Sequence, residues 1–431
     1  MKSVALVVCL FFCLQALSSE AGTVIMVDTT LDTTQTDGRC SLREAIENAE
    51  DNTQLWPDCA AGSEPSPDVI QFDNTLLNET IELQSALPTI EESLRIIGLE
   101  DNGPAITLDG MDAFSLIRIG DASTVDLQNL VLTRGRSSAS DGGAAIDAPN
   151  ALTLSIQRTR IVNNLSINGP VVSFNRNGTG SGDFTMVDSV LQGNRSEWLG
   201  TGKVLLFVNS TVRIERSEIS DNIGSASSGG GIVRLDESST LNMLNSTISG
   251  NRLENSAAGS AFTIINSDAE LKHVTIVDNR SNGLQRPIFV FASNESANLS
   301  LINSVVIGES DSEPVCVFSG SGTTTLSEIG TFSNDPDCLE SSSTVAIDSL
   351  ALSALGTNGG LSRTHALELE SIAIDAAGDC TALDPAVTLD QRSEVRPGAN
   401  SAACDAGAYE AQIPVDAIFE DVFEHVSVGS R

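Results

Sequence analysis

Seven stretches of the chain repeat one register: apolar, any residue, apolar, two of any kind, a small or apolar residue, any, apolar. The copies are Val125/Leu127/Leu130/Leu132, Leu154/Ile156/Thr159/Ile161, Phe184/Met186/Ser189/Leu191, Val212/Ile214/Ser217/Ile219, Leu241/Met243/Ser246/Ile248, Ala269/Leu271/Val274/Ile276 and Leu299/Leu301/Ser304/Val306. Their last members fall at 132, 161, 191, 219, 248, 276 and 306, a period of 28 to 30 residues. The alternation has period two, so one face of a short strand turns inward, and a bend after the second apolar residue starts another inward-facing stretch. Further strand candidates lie between copies at 142–146, 169–174, 203–207, 229–233 and 260–264, each reached through a polar or Gly-rich turn. Two or three strands per period predict one coil of an all-β, right-handed parallel β-helix, a solenoid expected from about Pro67 to Gly308. A leucine-rich repeat of this length would show a Leu-x-x-Leu-x-Leu pattern, and a propeller blade needs about 40 residues.

Stacked coils place equivalent residues above one another, which explains a recurring Asn at the end of each copy. Asn164, Asn194, Asn222, Asn251 and Asn279 are expected to form a ladder, tolerating left-handed backbone at a corner and bonding amide to amide. Several head an Asn-x-Ser/Thr triplet, and position in the coil accounts for them without glycosylation. Open ends of a solenoid need covers. At the N-terminus, Ser41 and Glu44 form a Ser-x-x-Glu capping box, and Leu42, Ala45, Ile46 and Ala49 line one helical face that suits such a cover.

Composition agrees: 35 Gly, 4% aromatics and abundant Ser, Thr, Asn and Asp suit many short strands joined by polar turns. Against 58 Asp plus Glu stand 23 Lys plus Arg, and the formal charge of -35 repels nucleic acid and anionic lipid. Carboxylates could collect Ca²⁺, yet neither an EF-hand loop nor a Gly-Gly-x-Gly-x-Asp repeat is present, so such a site is unlocated and no cofactor is assigned. Lys2, the apolar run Val4–Leu14 and the small residues near Ser19 and Ala21 read as a secretory signal peptide over 1–22, and no later segment is apolar enough to span a bilayer. Six cysteines remain, and on an exported chain their three local clusters favour disulfides Cys40–Cys59, Cys316–Cys338 and Cys380–Cys404.

The phrases "TVIMVDTTLDT" and "DGRCSLREAIENA" resemble the N-terminal segment named for the letters CSLREA, with Cys40, Ser41, Leu42, Arg43, Glu44 and Ala45 matching all six. Near the other end, "NGGLSRTHAL" (358–367), "SIAIDAAGDC" (371–380), "DQRSEVRP" (390–397) and "CDAGAYE" (404–410) are similar to the choice-of-anchor Q domain of bacterial surface proteins. Two departures are Ser393, where Gly usually follows Asp-Gln-Arg, and Ile372, where Pro is usual. The resemblance implies an exported, surface-displayed β-helix of a family without a well-established reaction. The resulting division is a signal peptide (1–22), an N-terminal cap (23–66), the β-helix (67–310), C-terminal coils with a disulfide-containing cap (311–412) and an acidic tail (413–431).

Chemistry on this fold follows two main patterns. Lyases neutralise a substrate carboxylate with Ca²⁺ or Arg/Lys and use a basic residue to take a proton; hydrolases use clustered carboxylates in Asn-Thr-Asp, Asp-Asp and Gly-His-Gly phrases. None of those phrases occurs, and the solenoid's lone histidine, His273, sits at a strand position that suits a structural role. Asp221 and Asp278 precede ladder Asn residues and read as corner residues, while Asp390, Arg392 and Arg396 read as an ion pair that fixes the cap. No catalytic residue is assigned. The leading expectation is a secreted or cell-surface scaffold that binds extracellular polysaccharide or protein; the alternative is a polysaccharide-degrading lyase or glycoside hydrolase.

Overall fold

The computed structural model describes residues 22–412 except 65–66, 122, 139–141, 176–180, 198–201, 226–229, 255–257, 282–285, 311–313, 341–343, 384, 400 and 402. The expected signal peptide, Gly22 aside, and the acidic tail lie outside the described residues. The chain is all-β, a parallel solenoid with a single α-helix, Leu42–Asp51, among the described residues.

Every apolar column expected from the register is present as in-register parallel pairing. Val125, Leu154, Phe184, Val212, Leu241, Ala269 and Leu299 stack directly, as do Leu127 through Leu301 and Leu132 through Val306. All are at most 3% exposed. The strands between copies form a further sheet, and its inward Phe174, Phe207 and Phe262 join Phe184 in a core that is otherwise mainly aliphatic. A third sheet of two- or three-residue strands follows each ladder corner, from Arg136–Ser137 to Arg280–Ser281; such strands are too short to show a period in the sequence.

The ladder is present, with one correction. Each Asn amide donates to the Oδ1 of the next (164 to 194, 194 to 222, 222 to 251 and 251 to 279, at 2.9–3.0 Å) and donates its other proton to a carbonyl of the preceding coil. That Oδ1 also accepts the backbone N–H of the Asn before it. Left-handed backbone, however, belongs to the residue before each ladder Asn: Asn163, Gly193, Asp221, Gly250 and Asp278, with φ of 55° to 67°. The chain turns there, so that the following Asn points inward, where it is at most 1% exposed. A second ladder has no counterpart in the expectations: the N–H groups of Thr159, Ser189 and Ser217 donate to the hydroxyls of Ser189, Ser217 and Ser246 at 3.1–3.2 Å.

The stack begins earlier than residue 67. Val24–Val27 pairs with 69–72 and forms the first strand, on which the helix packs Leu42, Ala45, Ile46 and Ala49. The capping box is made in both directions, Glu44 N–H to Ser41 Oγ at 3.2 Å and Ser41 N–H to Glu44 Oε2 at 3.0 Å. Arg43 grips Asp32 through two bonds of 2.8–2.9 Å and Cys40 is disulfide-bonded to Cys59. Every residue of Cys40–Ala45 thus has a structural contact.

The C-terminal end departs from a simple lid. The last long strand, Thr323–Ile329, pairs Thr324 with Ala297 and Glu328 with Leu301, so polar groups finish two inward columns. Inward charge at a final strand discourages edge pairing with other chains. The turn through Cys338, disulfide-bonded to Cys316 and fully buried, covers part of this end. The segment that contains Cys380–Cys404 does not sit on the end: it folds back along one side of the solenoid, over strands 218–220, 247–249, 275–277 and 305–306.

Candidate functional site

Two lateral surfaces result, one covered and one open. On the covered side, outward positions that normally meet water carry small hydroxyls, a carboxylate and aliphatics, and each is taken by the C-terminal segment. Gly359 and Gly360, with φ of 94° and 78°, make the turn that presents Ser362, Arg363 and His365. A Cβ on Gly360 would come within 2.8 Å of the Arg392 backbone, so Gly is required there. Arg363 donates to Glu218 Oε1 at 2.6 and 2.8 Å and to Asp221 at 2.9 Å, where Glu218 is 1% exposed. Thr247 donates to Gln391 Oε1 at 2.6 Å, and Ala408 N–H donates to Thr275 Oγ1 at 2.9 Å.

Asp390 and Arg392 form an ion pair, and the Arg392 guanidinium lies 3.7 Å from the centre of the Tyr409 ring. Arg396 is not part of that pair. Its carboxylate partner is Glu410 at 2.7 Å, both side chains fully buried, and it also donates to the carbonyls of Asp405 and Gly407. Burial pushes the Glu410 carboxyl up to about 7, against the pull of the Arg396 cation. Ser393 has φ of 71°, a left-handed position, which is the physical reason Gly suits it better.

One contact imitates a nucleophile and its base. Ser249 Oγ lies 2.8 Å from His365 Nε2, and His365 Nδ1 lies 2.8 Å from the Ser353 carbonyl. A carbonyl only accepts, so Nδ1 carries the proton and Ser249 donates to Nε2. Ser249 is 2% exposed, and the N–H groups of Gly250 and Asn251, the donors that follow it in the chain, are spent on Val277 and Asn279 rather than free to stabilise an oxyanion. The pair is therefore a fastening. His273 is likewise fully buried, its Nδ1 on the Asp405 carbonyl at 3.1 Å and its Nε2 accepting from Asn303. Burial holds both histidines below the ordinary imidazole range, His273 well below.

Asp221 and Asp278 are corner residues with the Gly250 coil between them, about 10 Å apart at the usual strand spacing, so they form no paired carboxylates. The three disulfides join the cysteines as the local pairing expects. Among the described residues no group of three or more His, Cys, Asp or Glu is arranged to hold a metal ion, and no helix is long and apolar enough to cross a membrane. Glu218, Thr247, Ser249, Thr275 and Glu410 escaped sequence reasoning; the available signal was the run of hydroxyls at outward positions in the last coils.

The open side carries side chains of the strands that begin each copy. One column runs Thr124, Thr153, Asp183, Thr211, Thr240, Asp268, Asn298 and Thr325, all exposed except the half-buried Thr153 and Asn298. Beside it runs Asp126, Ser155, Thr185, Arg213, Asn242, Glu270, Ser300 and Ser327. Both columns consist of hydrogen-bonding groups repeated at about 4.8 Å. Compared with known proteins, the chain matches no family model and no curated protein.

Proposed function

We propose that the chain is an exported, surface-displayed scaffold of the CSLREA and choice-of-anchor Q type that binds extracellular polysaccharide or protein without turning it over. The open wall carries this reading: a ladder of hydroxyl, amide and carboxylate groups about 34 Å long suits many weak contacts with an extended polymer. Three disulfides support an oxidising location. The motif residues equipped for acid–base work, His365, Arg363, Asp390 and Glu410, are engaged in fastening the C-terminal segment.

The test is incubation of the purified protein with neutral and uronic-acid polysaccharides, with and without Ca²⁺, following retention and chain length together. Retention that is lost in Thr211→Arg/Thr240→Arg, without shortening of the polymer, is the expected outcome. Depolymerisation that survives repurification rejects the scaffold and favours a lyase or hydrolase.

A further inference from the structure

A cleft of about 680 Å³ opens where the corner of the last coils meets the C-terminal segment. That size lies in the usual range of ligand pockets. Ile347, Ala351 and Leu352, each partly exposed, supply an apolar floor over the buried Val277 and Ile307, while Asp278, Asp348, Glu368 and Glu370 stand exposed on its walls. Among the described residues no Lys or Arg lines the cleft and none forms an ion pair with these four carboxylates. A fifth carboxylate, Glu309, is met by Arg280.

The combination selects a partner by elimination. A nucleic acid or uronic-acid chain meets four unpaired carboxylates on a chain whose net charge is already -35. A neutral sugar finds no Trp, Tyr or Phe face among the lining residues, and the His365 ring there is buried. Lysine and arginine side chains match both features: the aliphatic stem lies along the floor and removes apolar surface from water, and the charged head remains at the rim among carboxylates. We infer that this cleft docks a basic segment of another protein through two or more Lys or Arg side chains. The site is separate from the open wall, and stands or falls independently of what that wall binds.

The probe is a fluorescent peptide of alternating lysine and alanine, titrated by anisotropy against the full protein, with a glucosamine oligomer as competitor. Binding should weaken as salt rises, and Asp348→Asn/Glu368→Gln/Glu370→Gln should lose about tenfold in affinity, since three exposed ion pairs are removed. Leu352→Ser keeps every charge and should still weaken binding several-fold. Asp51→Asn/Glu79→Gln/Glu82→Gln removes equal charge at exposed positions far from the cleft and from the open wall, and should change affinity less than about twofold. Equal losses from the two triple variants would reduce the effect to net charge and overturn the inference. So would absence of peptide binding, or displacement of the peptide by the glucosamine oligomer at lower concentration than by unlabelled peptide.

Discussion

Replacing Arg396 by Met should detach the C-terminal segment while the solenoid stays folded. The guanidinium is fully buried and supplies the Glu410 carboxylate and two carbonyls with their donors. Met fills similar space and donates nothing, so the carboxylate is left desolvated with only the N–H groups of Gly398 and Asp405. Breaking a buried pair from one side costs about 3–5 kcal/mol, enough to accelerate exchange of the segment's amides by about a hundredfold or more. Hydrogen exchange followed by mass spectrometry reads this directly: peptides within 390–410 lose protection, and those within 125–161 keep it. The loss depends on pH. With the cation gone, the Glu410 carboxyl stands even further above its unfolded value, near 4.3. The folded form then prefers the protonated acid, so the variant's segment is steadiest in acid and weakens as pH rises from about 4.5 past 7. Adding Glu410→Gln to the Met variant removes the stranded charge and should recover most of the loss. Unchanged exchange over 390–410 in the single variant, or no recovery in the double, would refute the reasoning.

Ile248→Asp places an unpaired charge in an aliphatic column and should abolish the cooperative melt seen by circular dichroism. Asn222→Ala removes the acceptor of two buried donors on Asn194, and should lower stability by about 2–4 kcal/mol in urea titration. Ser393→Gly relieves a left-handed position and should raise the stability of the C-terminal segment by about 1 kcal/mol, measured by the same exchange experiment. His273 and His365 are held neutral by burial, so their contribution is complete above about pH 6.5 and is lost as pH falls below it, while Glu410 opposes this between about 4.5 and 7. Glu410→Gln should therefore steepen the acid weakening of the segment, and His365→Gln should shallow it.

The coils were legible because a solenoid is nearly one-dimensional: each copy meets only its neighbours, so a local period of two inside a period of about 29 residues states the core directly. The columns from Val125 to Leu299 and from Leu132 to Val306 followed from residue spacing alone, as did the helix cap, whose Ser41 and Glu44 lie one turn apart. The corner conformation was less accessible. Asn163 and Asn164 both suit a turn by composition, and only the stacked geometry places left-handed φ on the first and burial on the second. The C-terminal segment was beyond local reasoning. Partners such as Glu218 with Arg363 or Ser249 with His365 are separated by 145 and 116 residues, and no period links them. A hydroxyl at an outward position reads as solvated until the chain that returns to cover it is in place. Sequence therefore settled what repeats, because repetition is a property of neighbours. Tertiary structure alone decided which wall is covered, which is open and where the acidic cleft lies, because those depend on one segment meeting surfaces made by distant coils.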